Sequence, residues 1–282
     1  MRWEGNRQSK NVEDRRAGGP RVGGRSIGIG SIIVALIAWG VFGINPLTVL
    51  GLMQGAAPTT QSQQAPATTG PVNDRNGQFV ATVLADTEDV WGSIYSNYQE
   101  PRLVLFRDAT QTACGTGQAA MGPFYCPADT TVYIDLSFFD ELKNRLGAPG
   151  EFAQAYVIAH EVGHHLQRLQ GTTQKIDSLR GRISQTEYNQ LSVRLELQAD
   201  CYAGVWGHHA DRQRQILEGG DIEAAMNAAA KIGDDALQRS AGRVVRPESF
   251  THGTSAQRQR WFNTGLKTGD PQACDTFNNA QL

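Results

Sequence analysis

The sequence has no surplus of basic residues: 26 Lys and Arg stand against 28 Asp and Glu, for a formal net charge of −2. A dedicated nucleic-acid binder carries a basic excess to meet phosphate, so nucleic acid is excluded as the expected partner. Cysteine is scarce. Cys114, Cys126, Cys201 and Cys274 include no CxxC pair and no zinc-finger spacing, which argues against a disulfide scaffold and a zinc-finger fold. No repeat occurs at solenoid or propeller periods, so stacked architectures are excluded as well. With 40% hydrophobic residues in 282, the chain is long and apolar enough to bury a core without relying on metals or disulfides to fold.

Charge is absent from Ser26 to Asn73, and that gap contains the one long apolar run, Ile27 to Ile44. Its 18 residues are just long enough to span a bilayer as a helix, and Leu47 to Met53 extend the apolar stretch beyond Pro46. The preceding 25 residues carry seven basic side chains against three acids. This flank predicts a cytoplasmic basic segment over 1–25, a transmembrane anchor over 26–53 and an outward-facing remainder. Gly55-Ala56-Ala57 is a candidate cleavage site, so a cleaved signal remains the alternative to an anchor. Residues 54–75 are rich in Ala, Thr, Gln and Pro and read as a flexible linker. The domain is then expected over 76–282, in the periplasm or outside the cell, tethered to the inner membrane. All four cysteines lie in it, where oxidation is permitted. Cys114 with Cys126 and Cys201 with Cys274 is the expected pairing, because the first two bracket a short loop, although three connectivities remain open.

Within 76–282 the pattern is α+β. Phe79 to Tyr98 has helical apolar spacing, and Leu103 to Phe106 and Thr131 to Asp135 read as short strands. A Gly-rich loop, CGTGQAAMGPFYC, joins them with room for one further extended segment. Beyond Ser137 helices return, with breaks near Gly147 to Gly150, Gly171 and Gly219-Gly220.

The strongest chemical signal lies in EFAQAYVIAHEVGHHLQRLQ, where His160-Glu161-Val162-Gly163-His164 spells HExxH. On a helix, His160 and His164 share one face a turn apart and can meet one tetrahedral cation. Glu161 adjoins the first ligand and is the candidate general base for a water whose pKa the cation lowers to about 7. LELQADCYAGVW supplies a third ligand, Glu196, which completes a His₂Glu site with an open fourth position. Asp200 follows four residues later, placed to accept the outer N–H of His160. Ala203 and Gly204 permit close helix packing there. These residues predict one Zn²⁺ per chain.

HEVGH followed by ELQAD resembles the gluzincin pattern, HExxH then ExxxD, of thermolysin-like and HtpX/Ste24-type peptidases. MRWEGNRQSKNVEDRR, GPFYCPADTTVYIDLSFF, AYVIAHEVGHHLQ, ELQADCYAGVW and FTHGTSAQRQRWF together resemble the neutral zinc metallopeptidase family of bacteria over nearly the whole chain. The resemblance implies a zincin-like domain, a small sheet plus active-site helices, behind one N-terminal membrane helix. It implies a peptide or protein substrate. His252 sits where HtpX/Ste24-type peptidases carry a THP segment, which implies a donor to the tetrahedral oxyanion. Read from the residues alone, the same stretch is a capped helix start, with Thr254 or Ser255 as N-cap and Arg258, Trp261 and Phe262 packing behind. His165 lies about 100° from His164 and reads as structural. His208 and His209 have no i+4 partner and read as helix-end residues.

The leading expectation is a membrane-anchored zinc endopeptidase using Glu161 as base. A non-catalytic membrane-tethered scaffold with a structural or vestigial metal site is the alternative, and a hydrolase of non-peptide amides is a third reading. Substrate is expected to add as a strand to a sheet edge at Gln118 to Tyr125, with Thr131 to Asp135 as an inner strand.

Overall fold

The computed structural model describes residues 1–16, 72–118 and 122–282. Helix α1, Arg75–Ile94, begins where the Asp74 side chain accepts the Gly77 N–H at 3.0 Å and ends at Tyr95. A four-stranded sheet is built from β1 (Val12–Asp14), β2 (Arg102–Phe106), β5 (Phe124–Cys126) and β6 (Thr131–Asp135), in the order β1-β2-β6-β5. The first three neighbours run parallel, and β5 pairs antiparallel with β6. Leu103 to Phe106 and all of β6 are buried on both faces, which suits unbroken runs of β-branched and aromatic residues to an inner position. The Gly-rich loop holds more structure than one extended segment. Strand β4 (Gly115–Gln118) folds back on β3 (Ala109–Thr112) as a separate hairpin, and β5 forms the sheet edge.

Helices α2 (Ser137–Asn144), α3 (Glu151–Leu169), α4 (Thr172–Asp177), α5 (Gln185–Arg214), α6 (Asp221–Lys231), α7 (Asp234–Ser240) and α8 (Ser255–Thr268) follow, with one-turn 3₁₀ helices at Pro247–Ser249 and Pro271–Cys274. The breaks expected at Gly147 to Gly150, Gly171 and Gly219-Gly220 all separate helices. Helices α5 and α8 start with capping boxes, Ser184 with Glu187 and Thr254 with Gln257. Glycine lets them cross backbone to backbone: a Cβ on Gly204 would overlap Phe262 O, and one on Gly265 would overlap Cys201 O. Of the three possible connectivities, the disulfides are Cys114–Cys126 and Cys201–Cys274.

The domain does not begin at residue 76, and residues 1–16 are not a separate segment. Trp3 is buried against Phe79, ring centroids 5.4 Å apart. Strand β1 extends the sheet, pairing Val12 with Leu103 and Asp14 with Leu105. Val72 is buried and Asp74 caps α1, so the end of the expected linker is folded too. A three-residue VED in a charged stretch carries no strand periodicity, which hid this arrangement. The expected transmembrane segment, 26–53, and the rest of the linker lie outside the described residues. No helix among the described residues is long and apolar enough to cross a membrane.

Candidate metal centre

His160 and His164 lie one turn apart on α3, whose dipole is complemented by Glu151 in its first turn and Arg168 in its last. Glu196 of α5 faces both rings. Its Oε2 is 3.2 Å from His160 Nε2, and its Oε1 is 3.6 Å from His164 Nε2. The three ligand atoms fall within 4.8 Å of one another. Ligands about 2.1 Å from a tetrahedral zinc stand about 3.4 Å apart, so the spacing and the N/N/O donor set fit that ion with one position left over.

The far nitrogen of each histidine is fixed by a partner. His160 Nδ1–H donates to Asp200 Oδ1 at 2.9 Å, which turns Nε2 toward Glu196. Asp200, fully buried, also accepts from the Tyr156 hydroxyl at 2.5 Å and from Arg258 Nε and Nη2 at 2.8 and 2.9 Å. His164 Nδ1–H donates to Gln167 Oε1 at 2.9 Å, and the Gln167 amide donates to the Leu195 carbonyl and Gln198. Both imidazoles are therefore locked as Nδ1–H tautomers, the form that leaves Nε2 free to ligate.

Burial opposes charge throughout this cluster. For Asp200 the Arg258 guanidinium and His160 outweigh it and hold the carboxyl below its usual range. For Glu196 burial again opposes ionisation, but His164 and His160 hold its pKa well below the ordinary value. Burial disfavours a protonated His160, yet among the protein groups alone Asp200 and Glu196 push its pKa up to about 10. A divalent cation competes with that proton for the same Nε2, so metal uptake releases it.

Glu161 differs from its neighbours. It is 7% exposed, and its side chain makes no hydrogen bond among the described residues. Burial raises its pKa, an effect the two histidines moderate and Glu196 reinforces. A buried carboxylate with no structural bond, one residue from a ligand, has the character of a proton acceptor.

His252 precedes the α8 capping box, as the capped-start reading had it, with Thr254 as N-cap. Its ring Nδ1 lies 3.2 Å from Asp234 Oδ1, and Asp234 Oδ2 accepts the backbone N–H of Thr251, His252 and Gly253 at 2.8, 2.6 and 3.0 Å. A Cβ on Gly253 would lie 3.2 Å from Leu197 Cδ2, so this loop rests on α5 beside Glu196. His252 bears on the Glu196 charge but hydrogen-bonds none of the three candidate ligands. His165 faces away from the cluster. Its Nε2–H donates to Gln99 O at 2.6 Å and its Nδ1 accepts from the Tyr125 hydroxyl at 2.9 Å, tying α3 to β5. His208 and His209 donate to the carbonyls of Leu266 and Gly269.

Comparison with known proteins now bears on this geometry. The family described as "Putative neutral zinc metallopeptidase" matches residues 1–277. The chain belongs to the neutral zinc metallopeptidase family. The "Uncharacterized protein YpfJ" of Escherichia coli K12 is 52% identical over 99% of this chain and all of its own length. The "Uncharacterized protein Mb2605" of Mycobacterium bovis is 43% identical over 68% of each chain. No solved structure matches. A family match that starts at residue 1 agrees with a metallopeptidase fold that includes β1.

Sequence reasoning missed Gln167, Tyr156 and Asp234, and it read Arg258 only as packing. Gln167 lies three residues after His164, a spacing that brings side chains together on a helix. Arg258 and Asp234 reach the site only through tertiary contacts, and no local pattern points to them.

Proposed function

We propose that this member of the neutral zinc metallopeptidase family is an endopeptidase that binds one Zn²⁺ through His160, His164 and Glu196 and uses Glu161 as general base. The observation that carries the reading is the contrast between two kinds of polar group. Each candidate histidine ligand has its far nitrogen held by a partner, Asp200 or Gln167, while the Glu161 side chain lies beside them with no hydrogen bond among the described residues. A purely structural site has no use for such a base, which disfavours the scaffold reading. When bound, zinc supplies a Lewis acid that activates water and polarises a carbonyl. Glu161 takes the proton from the attacking water and delivers it to the leaving amine. Asp200, held by Arg258 and Tyr156, keeps His160 aligned, and Gln167 does the same for His164. His252, oriented by Asp234, donates a hydrogen bond to the developing oxyanion.

Substrate is an extended peptide or protein segment added to the outer edge of β5, which pairs only with β6 among the described residues. The Tyr125–His165 bond joins that edge to the metal-bearing helix. The two disulfides favour an oxidising compartment, periplasmic or extracellular, with attachment to the inner membrane through the apolar stretch 26–53.

The test is metal analysis and peptide cleavage with the full chain in detergent. Stoichiometric zinc and cleavage are expected, and Glu161→Gln should retain the zinc while cleavage falls to background. Zinc lost with Glu161→Gln, or cleavage unchanged by it, would refute the assignment.

A further inference from the structure

Residues 1–16 are joined to the metal-bearing domain by contacts that the domain itself requires. Glu88 on α1 is buried, its side chain 1% exposed. Its hydrogen-bond partners among the described residues all come from the N-terminal stretch: Arg7 at 3.0 Å, Ser9 at 2.5 Å and Asn11 at 2.9 Å. Without that stretch a carboxylate would stand buried and unpaired, a costly state. Strand β2 depends on it too. Leu103 N–H donates to Asn11 O at 2.9 Å and Arg15 N–H to Leu105 O at 2.8 Å, covering an edge whose residues Leu103 to Phe106 are apolar and buried.

The charges that suggested a cytoplasmic flank are occupied in the fold. Arg7 pairs with Glu88 and Asp89, Arg15 with Glu13, and Arg16 with Asp14 and Asp74. The Arg16–Asp74 contact, at 2.5 Å, also places the two ends of the stretch 17–71 side by side. A chain that leaves and returns at one point crosses a membrane an even number of times. Two helical crossings need about 40 apolar residues. The uncharged apolar stretch Ile27 to Met53 offers 27, interrupted by Asn45-Pro46.

We infer that residues 1–16 lie on the same side of the membrane as the metal centre, so that the chain between them makes no net crossing. The single-crossing topology, with a cytoplasmic N-terminus and an exported domain, would strip β1 from its sheet and Glu88 of its partners.

The experiment is labelling of two single variants of the full chain, Lys10→Cys and Lys267→Cys, with a small membrane-impermeant maleimide in intact and lysed bacterial cells. Both positions are exposed, and the four native cysteines are consumed in disulfides. Both variants are expected to label to the same extent in intact cells. Lys267→Cys labelled in intact cells with Lys10→Cys labelled only after lysis would overturn the inference. Labelling of both only after lysis would uphold it while removing the extracytoplasmic placement proposed above. The readout is independent of peptidase activity, so failure of either proposal is distinguishable from failure of the other.

Discussion

Asp200→Asn separates the two roles given to that residue, anchoring a buried charge and orienting His160. The side chain is 0% exposed, and Arg258, which forks onto it, is 2% exposed. Asparagine preserves the shape but leaves the guanidinium buried without the carboxylate it forks onto. Removing one member of a buried, hydrogen-bonded pair costs about 3–5 kcal/mol. Against a total stability of about 5–15 kcal/mol, that is a large fraction, and urea unfolding of the metal-free protein should show a clearly lower midpoint at unchanged slope. Loss of an outer hydrogen-bond partner of a ligating histidine weakens metal binding by about 10–100-fold, measurable by competition with a chelating dye. The double variant Asp200→Leu with Arg258→Met removes both charges and restores packing, so it should recover most of the stability. It should not recover zinc affinity, because His160 still lacks its acceptor. Equal destabilisation of the single and double variants would refute the charge-pair argument. Zinc affinity that returned along with stability would show that Asp200 does not act through His160.

Acid should loosen the docked N-terminal strand before the rest of the sheet. Arg15 holds the Glu13 carboxyl below its ordinary value of 4.5, and Arg16 holds Asp14 and Asp74 below 3.8. Depressed carboxylates stabilise the fold above their unfolded pKa, and that contribution is lost as pH falls through the folded one. The protection of the Val12 to Asp14 amides, measured against their intrinsic exchange rates, should thus be high above pH 4.5 and fall below 3.8, and more so in salt because the pairs are partly exposed; protection unchanged across that window would contradict it. His252→Ala should lower kcat by about 10²-fold with zinc content unchanged, and Asp234→Asn by a smaller factor in the same direction. An unchanged kcat in His252→Ala removes the oxyanion role. Replacing Cys201 and Cys274 together by Ala opens a covalent loop of 73 residues and should cost about 4 kcal/mol in the chain-entropy account, read by thermal or urea unfolding. A loss below about 1 kcal/mol would mean that the packing of Gly204 and Gly265 already fixes this crossing.

Legibility in the sequence followed the range of the interactions. His160, Glu161 and His164 are arranged by one helix, so i and i+4 spacing carries their geometry. Glu196 and Asp200 were readable for the same reason, as a second pair on a second helix. The strands at Leu103 and Thr131 stood out because a doubly buried strand must be apolar throughout. Asp234 and Arg258 were not readable, because what defines them is the partner reached across the fold, 58 residues away for Arg258 and Asp200. The N-terminal strand was the largest omission. Its charges looked like a membrane flank, although several of them satisfy buried or neighbouring partners within the domain.

The distance between the histidines and the carboxylates is set by the residue in the motif with no side chain. Gly163 lies between the two ligands on α3, and a Cβ there would stand 3.0 Å from both Cα and O of Ala199. Helices normally pack with axes about 8–10 Å apart, the lower end requiring small residues at the contact. Ala199 follows Glu196 by three residues and precedes Asp200 by one, so its contact with Gly163 fixes α3 against α5 beside both carboxylates. The same closeness lets Glu196 reach both Nε2 atoms and Asp200 reach Nδ1 of His160 from a single helix. A larger residue at 163 would push the helices apart and lengthen every one of these contacts together. HEVGH therefore carries two kinds of information, the ligands themselves and the clearance at which a second helix can complete them.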